Sequence, residues 1–131
     1  MRLVVDANVV VQLQISGGEL GPLSGHELVG PPLVMAEATS SIREQVHRGE
    51  IPPERGRGFV AGLADLPITI LEPDGLRIAA WDVSIDLGWA KTYDAEYVAL
   101  ALLLGCPIVS LDLRMQRGAS RLVQVITPTE L

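Results

Sequence analysis

Cysteine, lysine and aromatic side chains are scarce in this chain of 131 residues. The one cysteine, Cys106, cannot form a disulfide within the chain, which favours a reducing compartment. The one lysine, Lys91, leaves arginine as the main source of positive charge. Two tryptophans, two tyrosines and one phenylalanine are too few for the stacking platforms of passive single-strand binders. We therefore expect Trp81 and Trp89 in the core.

Positive charge is outweighed by negative charge, since 16 acidic and 10 basic residues give a net charge of −6. The chain as a whole will not attract nucleic acid or an anionic membrane by bulk electrostatics. A polyanionic partner must therefore be held locally. Arginines are grouped in two stretches, residues 43 to 57 and 114 to 121, and either group is explained equally well as a solvated helix face with salt bridges.

Long hydrophobic runs are missing too. The first apolar run meets Asp6 after three residues, which leaves no core for a signal peptide. The longest uncharged apolar stretch, residues 97 to 109, contains Gly105 and Pro107 and is shorter than the roughly 20 residues that span a bilayer. These features predict a soluble, cytoplasmic protein without a membrane partner.

Strand and helix patterns alternate along the chain. Short β-branched runs at residues 3–5, 68–71, 108–109 and 123–126 are typical of buried strands. Helical spacing occupies residues 7–15, 75–88, 94–104 and the segments that begin at residues 33 and 52, whereas the glycine- and proline-rich residues 16–32 are predicted as loop with one short helix. This order predicts a single α/β domain, residues 1–131, with a central, mostly parallel sheet flanked by helices on both faces.

Four acidic residues stand beside apolar runs: Asp6, Glu37, Asp94 and Asp112. Asp6 and Asp112 follow strands, and the carboxyl ends of parallel strands are where ligands bind in such sheets. Two carboxylates about 5 Å apart repel by roughly 3 kcal/mol at an effective dielectric near 20, so a cluster of four requires a compensating cation. Oxygen ligands without cysteine or histidine nearby favour Mg²⁺ or Mn²⁺. The pattern thus predicts metal-assisted hydrolysis.

Other interpretations of the same residues stay open. Taken singly, the aspartates fit helix caps and turns, and Glu37 fits a solvated helix position. A haloacid-dehalogenase-like phosphatase also carries a nucleophilic aspartate after its first strand, but it needs a second acid where this chain has Asn8. A third alternative is a partner-binding module without nuclease activity, whose acidic mouth receives an arginine-bearing peptide.

Three segments carry a family resemblance: VVDANVVV, VMAEATSSI and TYDAEYVALALLLGCPIVSLDLRM. They resemble the motifs of PIN domains, and the whole chain is similar to the VapC toxins of bacterial toxin–antitoxin pairs. The most specific part is the D-A-x-Y-V-A-L-A string with a strand and a further aspartate behind it. The resemblance implies a Mg²⁺- or Mn²⁺-dependent endoribonuclease whose products carry a 5′-phosphate and a 3′-hydroxyl.

The resemblance also implies roles for the four acids, which we take as the catalytic residues. It assigns the metal to Asp6, Asp94 and Asp112, with Glu37 bound to it directly or through water. It further implies a homodimer and a cognate antitoxin whose C-terminal tail can insert an arginine into the acidic site.

Polar motif residues complete the expected site. Asn8 and Ser110 carry over as groups that orient ligands or water, and Arg114 is counted with them as a candidate contact to the RNA substrate. The family more often has threonine at the position of Ser110. Serine keeps the hydroxyl but holds it less firmly, because it lacks the methyl group that restricts rotation in threonine.

Overall fold

The computed structural model describes residues 1–131 as one parallel sheet flanked by helices. Its strands are β1 (Arg2–Val5), β2 (Glu27–Gly30), β3 (Ile68–Ile70), β4 (Ile108–Val109) and β5 (Val125–Ile126). Its helices are α1 (Ala7–Ile15), α2 (Leu33–His47), α3 (Pro53–Gly62), α4 (Leu76–Leu87), α5 (Tyr93–Leu104) and α6 (Leu113–Ala119). The predicted α/β class is confirmed, and every strand pair is parallel.

The strand order is β3-β2-β1-β4-β5. The chain moves outward from β1 to β2 and β3, then returns past β1 to β4 and β5. Since crossovers between parallel strands are right-handed, this reversal places α1 to α3 on one face of the sheet and α4 to α6 on the other. The direction of winding therefore changes between β1 and β4, which is where open α/β sheets form a crevice for ligands.

The register of β1 against β4 determines which side chains meet at that crevice. Val4 lies beside Ile108 and Val5 beside Val109. The next residues, Asp6 and Ser110, consequently leave the sheet side by side. Leu3 to Val5 of β1 and both residues of β4 are fully buried, so these two polar residues stand directly above the hydrophobic core.

Helix α5 supplies the largest continuous part of the core. Its residues 97 to 100 are completely buried, and it packs against α4, β1 and β4. It ends at Gly105, whose positive φ of 66° suits glycine at a helix terminus. None of the helices combines the length and the apolar character that a membrane crossing requires.

Two elements of the structure were not expected from the sequence. Residues 16–32, predicted as loop, contain the strand β2, which lies between β1 and β3. This strand escapes prediction because only Leu28 and Val29 are strongly apolar and glycines and prolines flank it on both sides. The helix α6 was likewise not anticipated as an element.

The expectation for Trp81 is also wrong: it was placed in the core, and it is 57% exposed. Ile78 and Ile85, on the same side of α4, are 62% and 66% exposed. Residues three and four apart share one helix face, so α4 presents an apolar stripe to the outside while Ala80 and Val83 face inward.

Candidate functional site

Asp6 is the most buried of the four acids, with 7% of its surface exposed. It caps the N-terminus of α1, where its Oδ1 accepts a hydrogen bond from the Ala7 N–H at 2.8 Å. Its Oδ2 accepts a bond from the Ser110 hydroxyl at 2.7 Å and another from the Asn8 amide nitrogen at 3.2 Å. Both carboxylate oxygens are therefore held in fixed directions.

Asn8 and Ser110 extend this network to the second acid. The Leu111 N–H donates to the Asn8 Oδ1 at 3.0 Å, and the Asp112 N–H donates to the Ser110 Oγ at 3.0 Å. The Asn8 amide nitrogen also reaches the Ser110 Oγ at 3.3 Å. The two predicted orienting residues thus join the end of β1 to the loop that carries Asp112.

Asp112 caps α6 in the same way that Asp6 caps α1. Its Oδ1 accepts a hydrogen bond from the Arg114 N–H at 2.8 Å. The Arg114 side chain lies over the same carboxylate, with Nε 3.4 Å from Oδ1, but it is 91% exposed. Such an exposed ion pair contributes little, so Arg114 is free to turn toward another anion.

Glu37 projects from α2 and is half-buried. Its Oε1 accepts a hydrogen bond from the Tyr97 hydroxyl of α5 at 2.5 Å. Tyr97 is completely buried, and burial followed by this hydrogen bond raises the pKa of its hydroxyl far above the usual range. The hydroxyl consequently remains a proton donor that holds Glu37 in place.

Tyr97 is a site residue that we did not anticipate from the sequence. A signal for it exists, because a tyrosine within an apolar helix needs a partner for its hydroxyl when it is buried. The identity of that partner depends on how α2 and α5 pack on the sheet, and the two residues are 60 positions apart.

An open pocket of about 540 Å³ brings the remaining acids together. Asp94, in the first turn of α5, shares it with Glu37 and Asp112, while buried Asp6 does not line it. The segment between α4 and α5 and the helix α6 line the rest of the pocket. The full lining is Glu37, Gly88, Trp89, Ala90, Lys91, Tyr93, Asp94, Asp112, Arg114 and Met115.

The pKa values of three acids are raised, which indicates negative charge that the protein does not neutralise. Burial is the main cause of the raised pKa of Asp6; hydrogen bonds from Ser110 and Ala7 oppose it, and the charges of Asp94 and Asp112 add to it. For Asp94, loss of solvent comes first and the charge of Asp112 second, with Arg114 opposing both.

Glu37 follows the same pattern. Burial raises its pKa most, the hydrogen bond from Tyr97 lowers it, and the charges of Asp6 and Asp94 raise it again. The charges of Asp94 and Asp112 therefore act on Asp6, and those of Asp6 and Asp94 act on Glu37.

The donor set suits a hard divalent cation, since it consists of carboxylate oxygens. The positions of the side chains are looser than a complete metal site requires. No three histidine, cysteine, aspartate or glutamate side chains are close enough together to hold an ion as they stand. Binding of an ion would thus require the exposed Asp94 and the half-buried Asp112 to move closer to Asp6.

Comparison with known sequences gives consistent matches over most of the chain. The sequence model of the PIN domain matches residues 3–120. VapC ribonuclease Mb0985 of Mycobacterium bovis and Ribonuclease VapC9 of Mycobacterium tuberculosis are each 32% identical to the chain over 114 residues. These alignments cover 86% of this chain and 87% of each relative.

Solved structures resemble the fold at lower sequence identity. PAE2754 from Pyrobaculum aerophilum superposes with a TM-score of 0.73 at 18% identity, covering 96% of this chain and 92% of its own. A chain of VapBC2 from Rickettsia felis, bound to a DNA fragment from its promoter, has a TM-score of 0.69 at 11% identity, covering 97% and 98%. These similarities support the assignment of the fold.

Proposed function

The chain belongs to the PIN-domain family, and from this premise we propose that it is a metal-dependent endoribonuclease that acts as the toxin of a toxin–antitoxin pair. The observation that carries the proposal is the convergence of four acids at the switch in strand order, with Asp6 and Asp112 joined by the Asn8–Ser110 network. The ribonucleases that share 32% of its sequence support the choice of RNA as substrate.

We assign the metal, Mg²⁺ or Mn²⁺, to Asp6, Asp94 and Asp112, with Glu37 bound directly or through water. A bound ion supplies Lewis acidity and makes water a stronger acid. Residues of this chain hold the carboxylates in place and accept the proton. Ser110 and Asn8 fix the Asp6 carboxylate, and Tyr97 fixes Glu37, which is placed to accept a proton from the attacking water.

The proposal is tested with purified protein and a mixture of cellular RNAs. We expect cleavage only when Mg²⁺ or Mn²⁺ is present, and sequencing of the new ends should find 5′-phosphates. Asp6→Asn should abolish cleavage, whereas Asp65→Asn, at an exposed site beyond the end of α3, should cleave normally. Full activity in excess chelator, with protein shown to be free of metal, would rule out the metal mechanism.

We further propose that a cognate antitoxin blocks the site by inserting an arginine from its C-terminal tail. The pocket supports this idea because Glu37, Asp94 and Asp112 line it together and an arginine pairs well with carboxylates through its planar fork. The arginine would exclude the metal, so inhibition should weaken as Mg²⁺ rises at fixed ionic strength. An inhibitory potency that does not change with Mg²⁺ would place the blocking contact elsewhere.

A homodimer is the last part of the proposal, and the apolar stripe of α4 supports it. Exposed stripes of this kind mark protein contacts. If two copies of α4 pack antiparallel, Ile78 of one copy lies across from Ile85 of the other. The stripe would then bury these apolar side chains, which are exposed in the single chain.

A further inference from the structure

We propose that the segment between α4 and α5, with Tyr93 at its end, binds unpaired RNA next to the scissile phosphate. In this arrangement the Tyr93 ring stacks on a base and Lys91 contacts a neighbouring phosphate. The inference rests on the proposed ribonuclease function and assigns a role to this part of the pocket lining.

Two positively charged side chains lie at this pocket. The chain has a net charge of −6, and three acids line the pocket, so its empty mouth repels a polyanion. Its single lysine, Lys91, and the mobile guanidinium of Arg114 line that same pocket. They supply the local attraction that the acidic wall lacks.

Neither Tyr93 nor Lys91 has a polar side-chain partner within the chain. Tyr93 is 54% exposed, and its hydroxyl forms no hydrogen bond within the chain. Lys91 is exposed as well and takes part in none of the four ion pairs of the molecule. An exposed aromatic ring and a free ammonium group at one pocket are the two contacts that single-stranded nucleic acid uses.

The segment is anchored where it leaves α4. Gly88 ends α4 with a positive φ of 70°, and the Trp89 N–H donates to the Ser84 carbonyl at 2.8 Å. The Trp89 ring packs so closely on α6 that a Cβ at Gly118 would lie 3.0 Å from it. A platform held in this way loses little conformational entropy when it binds a ligand.

Arg121 adds a further anchor, because its Nη2 donates to the Asp86 carbonyl at 2.7 Å and so ties α6 to the end of α4. Two of the five aromatic residues, Trp89 and Tyr93, consequently line the pocket of the acids. The paucity of aromatics in the composition does not exclude a stacking contact, since one ring at the right place is enough for one base.

The chemistry of the contact defines the class of RNA. A ring can stack on a base only where that base is not already stacked within a helix, so the substrate is a single strand or a loop rather than a duplex. The hydroxyl of Tyr93 has no role in stacking. Phenylalanine should therefore replace tyrosine without loss of affinity.

The test measures binding of labelled single-stranded RNA of random sequence by fluorescence anisotropy. Asp6→Asn serves as the non-cleaving parent, and circular dichroism checks the fold of each variant. In this parent, Tyr93→Ala should weaken binding about tenfold, as loss of one stacked base does, while Tyr93→Phe should bind as the parent does. A labelled duplex should bind weakly to all of them.

Salt dependence tests the role of Lys91 separately. Lys91→Gln should lower the slope of log affinity against log salt by about 0.7, the value for one phosphate contact on a single strand. Arg57→Gln, which removes a charge from the exposed surface of α3, should leave the slope unchanged. This control separates a local contact from a general effect of net charge.

Several results would overturn the inference. If Tyr93→Ala and Lys91→Gln bind RNA as the parent does, the segment is not an RNA contact, although the ribonuclease proposal survives. If these substitutions weaken only the binding of an antitoxin peptide, the segment is a protein contact. If the parent binds no RNA and the unmodified protein cleaves none, the proposed function fails together with the inference.

Discussion

The Tyr97 hydroxyl donates to Glu37, and this is the one side-chain hydrogen bond between α2 and α5. We predict that Tyr97→Phe lowers the free energy of unfolding by about 1–2 kcal/mol, near the lower end for a hydrogen bond to a charged group, because Glu37 is only half-buried. Urea denaturation measures this change.

The same substitution has a second effect that a merely structural residue would not produce. The hydrogen bond from Tyr97 lowers the pKa of Glu37, so its removal should raise that pKa further. If ionised Glu37 accepts a proton in catalysis, the acid limb of the pH–rate profile should move to higher pH. An acid limb at its original position would remove Glu37 from that role.

Asp94 allows a prediction about pH. Its pKa is raised by desolvation and by the charge of Asp112, so the folded state favours the protonated acid. Without metal, the stability contributed by this group is fully present below its ordinary pKa of 3.8 and is lost as pH rises through the raised value. Asp94→Asn cannot ionise and should melt at a higher temperature than the unmodified protein at neutral pH in chelator.

The difference between the two melting temperatures should close as pH falls below 3.8, since Asp94 is then protonated in both the folded and the unfolded chain. Thermal unfolding followed across pH measures it. Asp65→Asn, at an exposed site outside the pocket, is the matched control. An advantage for Asp94→Asn that stays constant across pH would mean that charge repulsion is not its cause.

At the scale of elements, Ser110 connects the ends of β1 and β4. Its hydroxyl donates to Asp6 and accepts from Asp112. Ser110→Ala should destabilise the fold by about 1–3 kcal/mol, because the buried Asp6 carboxylate loses a donor. Ser110→Thr keeps the hydroxyl and should restore stability and activity, as measured by denaturant unfolding and RNA cleavage. Equal losses in both variants would point to packing rather than to the hydroxyl.

At the scale of the whole molecule, the stripe of α4 predicts how two copies associate. Trp81→Glu should convert the proposed dimer to a monomer in sedimentation equilibrium, whereas Trp81→Phe should remain dimeric. A dimer that tolerates Trp81→Glu would place the interface on another surface.

Much of the fold follows from local sequence. The run Leu3 to Val5 forms a strand and residues 94–104 form a helix because their patterns satisfy the same structure at every position. Family motifs lead to the four acids and to Asn8 and Ser110. Glu37, Asp94 and Asp112 line one pocket, and Asp6 lies buried at the end of β1; their role as catalytic residues stays a prediction.

Three features were decided only by the tertiary structure. The strand β2 exists because β1 and β3 offer it hydrogen-bond partners on both sides. Trp81 is exposed because the apolar residues of α4 surround the helix and α5 covers only one side. Tyr97 reaches Glu37, and Asn8 reaches Ser110 across 102 positions, because the packing of α2 and α5 and the register of β1 on β4 place them there. Such distances depend on the arrangement of all the elements at once, whereas propensity and periodicity act only on neighbours along the chain.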